Sequence, residues 1–186
     1  MEVILLRHPT EEDWIECKRR ALVTMGKNVK NPPDDIWKGK MLRSRHSPIR
    51  YLQFSFYLKD IPSWVSVHLV RHVHAQPYVR SQRNDRQSEY NRETAPQNTP
   101  VDMIWDMNAE TFLTICNKRL CGKASEKTRM VVELMRDLVA ESNPEFIPFM
   151  VPNCQWLKGC PEFEPCGMYN VKIDNWKVGE AEDIRE

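Results

Sequence analysis

Between Arg71 and Arg83 the chain reads Arg-His-Val-His-Ala-Gln-Pro-Tyr-Val-Arg-Ser-Gln-Arg, directly after the apolar stretch Trp64–Val70. Arg71, His72, His74, Arg80 and Arg83 fall where an amphipathic helix is expected to give way to irregular chain, with Asp85 and Arg86 just beyond. Cationic N–H donors held at such a junction suit planar or phosphate-bearing anions. Arg71 and His72 also have a plainer role, because cations at the C-terminal end of a helix interact favourably with its dipole. Ser81 has no Gly-x-Ser-x-Gly elbow around it, so it reads as a hydrogen-bond donor to phosphate rather than a nucleophile. His74 reads as a polar loop residue.

Arg119 is a second focus. On a helix opening at Asn108, the residues Phe112, Ile115, Cys116 and Leu120 form an apolar arc. At about 100° per residue Arg119 points into that arc, near the direction of Asn108. A guanidinium there needs a partner, since an unpaired buried charge is very costly. Two partners fit: the carboxylate of Asp102 or Asp106, or a ligand anion bound in a cleft.

The third group is thiol-bearing. Cys154, Cys160 and Cys166 are spaced like a loose knuckle, with Pro161 and Gly167 among them. Zinc knuckles use tighter spacings, and only three ligands are local. Cys121 could complete a set, but nothing in the sequence places it nearby. The favoured expectation is plain buried thiols that pin a loop-rich C-terminal region, with no metal assigned, and a bound zinc is the less favoured alternative.

These residues must be positioned by one domain, residues 1–186, long enough to bury a substantial core. Formal charge is +1 with 28% charged residues, so no global basic field argues for nucleic acid. Arg80, Arg83, Arg86 and Arg92 are moreover interleaved with Asp85, Glu89 and Glu93. No apolar run approaches a membrane span, and Met1-Glu2-Val3 reads as a strand rather than a signal peptide. Six cysteines without such a signal read as reduced thiols, so a cytoplasmic protein is expected.

The elements follow from pattern. Glu2–Leu6 is a strand, and Thr10 with Asp13 caps a helix running to about Met25. Pro32-Pro33 breaks the chain before a helix around Asp34–Leu42. The alternation in Gln53–Leu58 predicts a strand, and Pro62-Ser63 opens a helix on which Val65, Leu69 and His72 share a face. The polar stretch Asn84–Pro100 is expected to be irregular. Asn108 caps a helix to about Cys121, and Ser125 opens another with Val131, Leu134, Met135 and Leu138 as its stripe. Helix signals fade from Pro144, and the tail after Asp174 reads as an appendage.

Taken together, these residues resemble the flavin-dependent thymidylate synthases, also called thymidylate synthase complementing proteins. The family's hallmark is Arg-His-Arg followed about seven residues later by Ser-x-Arg. Arg71-His72, Ser81 and Arg83 stand at the matching positions. Ser47-Pro48 and Phe54-Ser55-Phe56 resemble the flavin-contacting loop and following strand, and Arg92-x3-Pro96, Asn108-Ala109 and Arg119 recur at family spacing. The resemblance covers Arg45 to Ala124 most clearly and is similar to short, phage-borne members. It implies an α+β fold, helices packed on a small mostly antiparallel sheet, assembled as a homotetramer with active sites shared between subunits. It implies methylation of dUMP to dTMP with methylenetetrahydrofolate and with FAD reduced by NADPH. By the same resemblance Arg71, Ser81, Arg83, Arg92 and Arg119 would hold dUMP, and Arg119 would favour ionisation of the uracil N3 as the catalytic cation. Ser47, Arg71, His72 and Asn108 would touch FAD, and no cysteine nucleophile would be needed.

The sequence departs from the family pattern at definite places. Val73 stands for the second arginine of Arg-His-Arg, Tyr78-Val79 for Asn-Glu, and Glu110 for an arginine after Asn108-Ala109. Ala124-Ser125-Glu126 replaces Ala-Gln-Trp, and the interval from Arg83 to Arg92 is shorter than in typical members. The nucleotide side is better kept than the flavin side. Two rivals follow: another pyrimidine-nucleotide modifying enzyme on the same scaffold, and a nucleotide-binding homologue without flavin or catalysis.

Overall fold

The computed structural model describes residues 1–83, 85 and 91–168. A four-stranded antiparallel sheet forms the base, in the order β1 (Glu2–Arg7), β2 (Gln53–Pro62), β4 (Pro100–Asn108), β3 (Gln76–Val79). Six helices accompany it: α1 (Glu11–Val23), α2 (Asp35–Ser44), α3 (Ser63–Leu69), α4 (Ala109–Arg119), α5 (Glu126–Ser142) and α6 (Asn153–Trp156). Two 3-10 segments, Ser47–Tyr51 and Pro144–Phe149, complete the described elements. The α+β class read from the sequence is borne out.

Alternation decides the two faces of the sheet. Phe54 pairs with Met107, Phe56 with Trp105 and Leu58 with Met103, all buried on the helix-covered side. Phe112 of α4 packs over this surface, its ring centroid 4.9 Å from Phe54 and 5.5 Å from Phe56. Phe146 meets Phe54 edge-on, and Trp14 of α1 closes the same core while its indole N–H donates to Glu145 Oε1 at 2.7 Å. The opposite face carries Ile4, Tyr57, Ile104 and Tyr78 in cross-strand register.

The caps explain where the helices start. Thr10 Oγ1 accepts from Asp13 N while Asp13 Oδ2 accepts from Thr10 N, the reciprocal box read from the sequence. Asp34 and Asn108 cap α2 and α4 by accepting from the backbone N–H three residues on.

Several expectations need correction. β4 was not anticipated, although Val101, Met103, Trp105 and Met107 alternate as a half-buried strand should. β3 was not anticipated either; Tyr78 and Val79 belong to it and pair with Ile104 and Met103. The helix from Ser63 ends at Leu69, so Arg71 and His72 lie in the turn beyond it rather than on its last turn. On α5 the buried face is Thr128, Val131, Val132, Met135 and Val139, while Leu134 is 39% exposed. Of the stretch expected to be irregular, residues 91–99 are turns and loop, whereas 84 and 86–90 lie outside the described residues. The tail after Asp174 also lies outside them.

Candidate functional site

The turn after α3 is tightly wound. Val70 N–H donates to Ser66 O, His72 N–H to Leu69 O at 3.1 Å, and Ala75 N–H to His72 O at 3.0 Å. Ala75 is buried, which anchors the turn and presents Arg71, His72, Val73 and His74 to one side. Facing them is α4, whose start is fixed by Asn108 and by Ala109 N–H donating to Leu52 O at 2.9 Å. Between the two elements lies a cleft of about 640 Å3.

Arg50, Arg71, Lys118 and Arg119 line this cleft, with Glu110 as the one carboxylate among the lining residues. Glu110 is ion-paired with Arg50. The surplus of positive charge suits an anionic ligand. Glu110, Thr114 and Lys118 follow one another at four-residue spacing, so they share one face of α4.

Arg119 sits in the wall half-buried, and among the described residues no carboxylate pairs with it. Its Nε donates to His72 Nε2 at 2.9 Å and its Nη2 to the His68 carbonyl at 2.8 Å. Asp102, one proposed partner, instead accepts from Asp60 N at 3.1 Å, where the strand bulges and Asp60 takes φ 52°. Asp106 pairs in register with Ser55 and Gln76 on the sheet. Neither Asp102 nor Asp106 forms the expected salt bridge with Arg119, and among the described residues two neutral acceptors hold the guanidinium.

His72 can accept that bond because it is neutral. Burial first, then the charges of Arg119 and Lys118, push its pKa down to about 4. Since Nε2 accepts, the ring proton belongs on Nδ1. The Arg119 pKa is itself lowered, by burial and then by Arg71. The cleft thus concentrates positive charge that its own side chains leave uncompensated.

Of the residues singled out in the sequence, Arg71, His72, Asn108 and Arg119 line the cleft. Ser47, Ser81, Arg83 and Arg92 do not. Ser47 is exposed at the start of the segment whose Arg50 reaches the cleft. Arg83 N–H donates to Ser81 Oγ at 3.4 Å, and its guanidinium binds the Asp85 carboxylate through two bonds of 2.9 and 2.7 Å. Arg92 lies in an exposed turn.

Sequence reasoning missed Arg50, Lys118 and a neighbouring cavity of about 290 Å3, which shares Glu110, Thr114 and Lys118 with the cleft. Arg45 and Trp156 line this second space, the guanidinium 5.0 Å from the ring centroid. Arg45 Nη2 donates to Asn117 Oδ1 at 2.8 Å, while its buried Nε has no partner. The polar stripe at helical spacing on α4 was the available signal.

The cysteines are distributed away from the cleft. Cys116 on α4 is fully buried and burial pushes its thiol up to about 12, as it does for Cys17. Neither can serve as a nucleophile near neutral pH. Cys154 and Cys160 are buried as expected, but Cys166 is exposed, and Cys121 lines the same small cavity as the other three.

The architecture defines a class: the α+β fold of the flavin-dependent thymidylate synthases. Thymidylate synthase X from Helicobacter pylori, solved with FAD and dUMP, superposes with a TM-score of 0.65 at 14% identity, covering 83% of this chain and 99% of that one. A UMP/dUMP methylase, PolB from Streptomyces cacaoi bound with 5-Br dUMP, gives 0.62 at 15% identity, covering 81% and 96%. In sequence, residues 85–145 match the thymidylate synthase complementing protein family. The resemblance to that family is thereby shown. No curated protein sequence matches the chain. Among the described residues no helix is long and apolar enough to cross a membrane.

Proposed function

We propose that this chain binds dUMP and methylates its uracil ring with the help of a bound flavin. The observation that carries the reading is Arg119, a half-buried cation in the cleft wall held by a neutral histidine and a carbonyl rather than an acid. A charge placed so, where water competes poorly, acts strongly on a nearby developing anion. Arg119 would stabilise negative charge on the uracil as the ring is activated, and Arg71, exposed at the mouth, would attract the phosphate. His72 orients Arg119 and stays uncharged, so it does not compete for the anion.

The residues fit a dinucleotide cofactor on one count in particular. The buried Arg45 Nε lacks an acceptor, and Arg45 and Trp156 extend the cleft along α4. Asn108, His72 and Arg45 would hold FAD, which when bound supplies hydride. Methylenetetrahydrofolate as carbon donor, NADPH as reductant, and a homotetramer that completes the cleft belong to the same proposal. The fully buried Cys116 supports it, since the scheme needs no thiol nucleophile.

The Glu110–Arg50 ion pair favours a second reading, in which a divergent enzyme of this scaffold adds another one-carbon group to a pyrimidine nucleotide. Both readings are tested together. Purified protein is examined for flavin absorbance, then by thermal shift with FAD and dUMP, and the product is weighed by mass spectrometry. Bound flavin, a melting temperature raised by dUMP and a methyl-sized mass gain support the first reading. A different mass gain supports the second. Colourless protein unaffected by FAD, with dUMP still binding, identifies a homologue that has lost flavin. Light scattering that shows a monomer at micromolar concentration removes the tetramer.

A further inference from the structure

Four of the six cysteines meet at the C-terminal end of α4. Cys121, Cys154, Cys160 and Cys166 line one small cavity, together with Gly122 and Glu162. They arrive from separate stretches: Cys121 follows the α4 cap Leu120, Cys154 lies on α6, and Cys160 and Cys166 lie in the irregular chain beyond. We infer that these four thiols are the ligands of a structural zinc ion that fastens the C-terminal chain to α4.

Three observations support the site. All four thiols are free, and the chain that carries Cys160 and Cys166 leaves its large apolar side chains exposed. Leu157 is 48% exposed, Phe163 99% and Met168 68%. The ion pair from Lys123 to Glu164, at 3.8 Å and solvent-exposed, adds almost nothing. Proximity is geometric, since all four side chains line the one cavity. A β-carbon placed on Gly122 would stand 3.6 Å from Cys166 Sγ. The chemistry is selective too, because four soft thiolates are the donor set of a closed tetrahedral zinc site, and the Glu162 carboxylate that shares the cavity is a harder donor than they are.

The set is open. Among the described residues no three or more His, Cys, Asp or Glu side chains are placed to hold a metal ion as they stand. Zinc–sulfur bonds of about 2.3 Å would draw the four together. Cys166 has the freedom to move, being exposed and set between Pro165 and Gly167, which already takes φ 82°. Each thiol releases its proton to solvent on binding, and Lys123 and Lys158, neighbours of the ligands in sequence, offset the resulting negative charge.

The experiment uses the full chain purified without chelator. Its metal content is measured by mass spectrometry, and cobalt(II) is then loaded as a spectroscopic probe. The expected result is about one zinc per chain, and a cobalt form with intense thiolate charge-transfer and tetrahedral ligand-field bands. Cys121→Ser should lose the metal or bind it at least about tenfold more weakly, whereas Cys17→Ala should keep it. The wild-type cobalt spectrum decides the matter even if a variant fails to fold. Absence of zinc and of cobalt bands overturns the inference, as does a disulfide among the four, or a Cys121→Ser protein with full metal and an unchanged spectrum. Neither flavin nor nucleotide enters this test, so its failure leaves the proposed activity standing.

Discussion

Phe112 on α4 is enclosed by Phe54 and Phe56, whereas Phe163, in the chain after α6, is 99% exposed. The two rings mark two ways of holding chain in place. Beneath α4, strand alternation and helix packing fix every position, so the helix can carry Arg119 without an acidic partner. In the chain after α6 the large apolar side chains Leu157, Phe163 and Met168 are exposed, and cysteines cluster instead. Precise placement of charge accompanies the first arrangement, and dependence on a cross-link accompanies the second.

Breaking the first region at its centre should have the largest effect. Phe112→Ala removes a fully buried ring and should cost about 3–5 kcal/mol of stability, read as a shifted midpoint in urea denaturation. Next comes the cation this packing positions. Arg119→Lys keeps the charge but loses the planar fork, and single-turnover methylation of dUMP should slow about 100-fold, with calorimetry showing affinity within a few-fold. A wild-type rate would detach Arg119 from catalysis. Arg71→Ala should weaken dUMP binding about tenfold while sparing the rate, because an exposed cation at the mouth contributes roughly one charge-assisted bond.

An effect on stability rather than on ligand binding should follow pH. His72 has a folded pKa near 4 against an ordinary 6.5, so the unfolded chain takes up its proton first on acidification. Its contribution to stability is complete above pH 6.5 and falls progressively between 6.5 and about 4. His72→Gln keeps an acceptor for Arg119 without titrating, and its urea midpoint should lack that fall. The smallest effect belongs to the second region: Phe163→Ser should change stability by less than about 0.5 kcal/mol. A larger loss there would mean that the ring is covered in an assembly.

How much was legible depends on how local the cause is. The Thr10–Asp13 box and the Asn108 cap were read directly, because a side chain three residues from its backbone partner needs no tertiary information. The alternation of β4 was equally local and was overlooked beside the helix that follows it. Arg119 was rightly placed on a largely apolar face, yet its partner was not an acid. His72 stands far off in sequence and becomes an acceptor only through burial that no pattern displays. The convergence of Cys121 with the later cysteines was invisible for the same reason, as it requires knowing where α4 ends relative to α6.

β2 and β4 are neighbours in the sheet although residues 63–99 separate them in the chain. That excursion supplies α3, the Arg71–His74 turn and β3, and so one whole wall of the cleft. Closing a flexible loop grows costlier only with the logarithm of its length, about 0.6 kcal/mol for each doubling. Changes of length inside 63–99 can therefore be absorbed at small cost while the β2–β4 ladder stays as it is. One excursion could so reshape a wall of the cleft without touching the strands that carry the core.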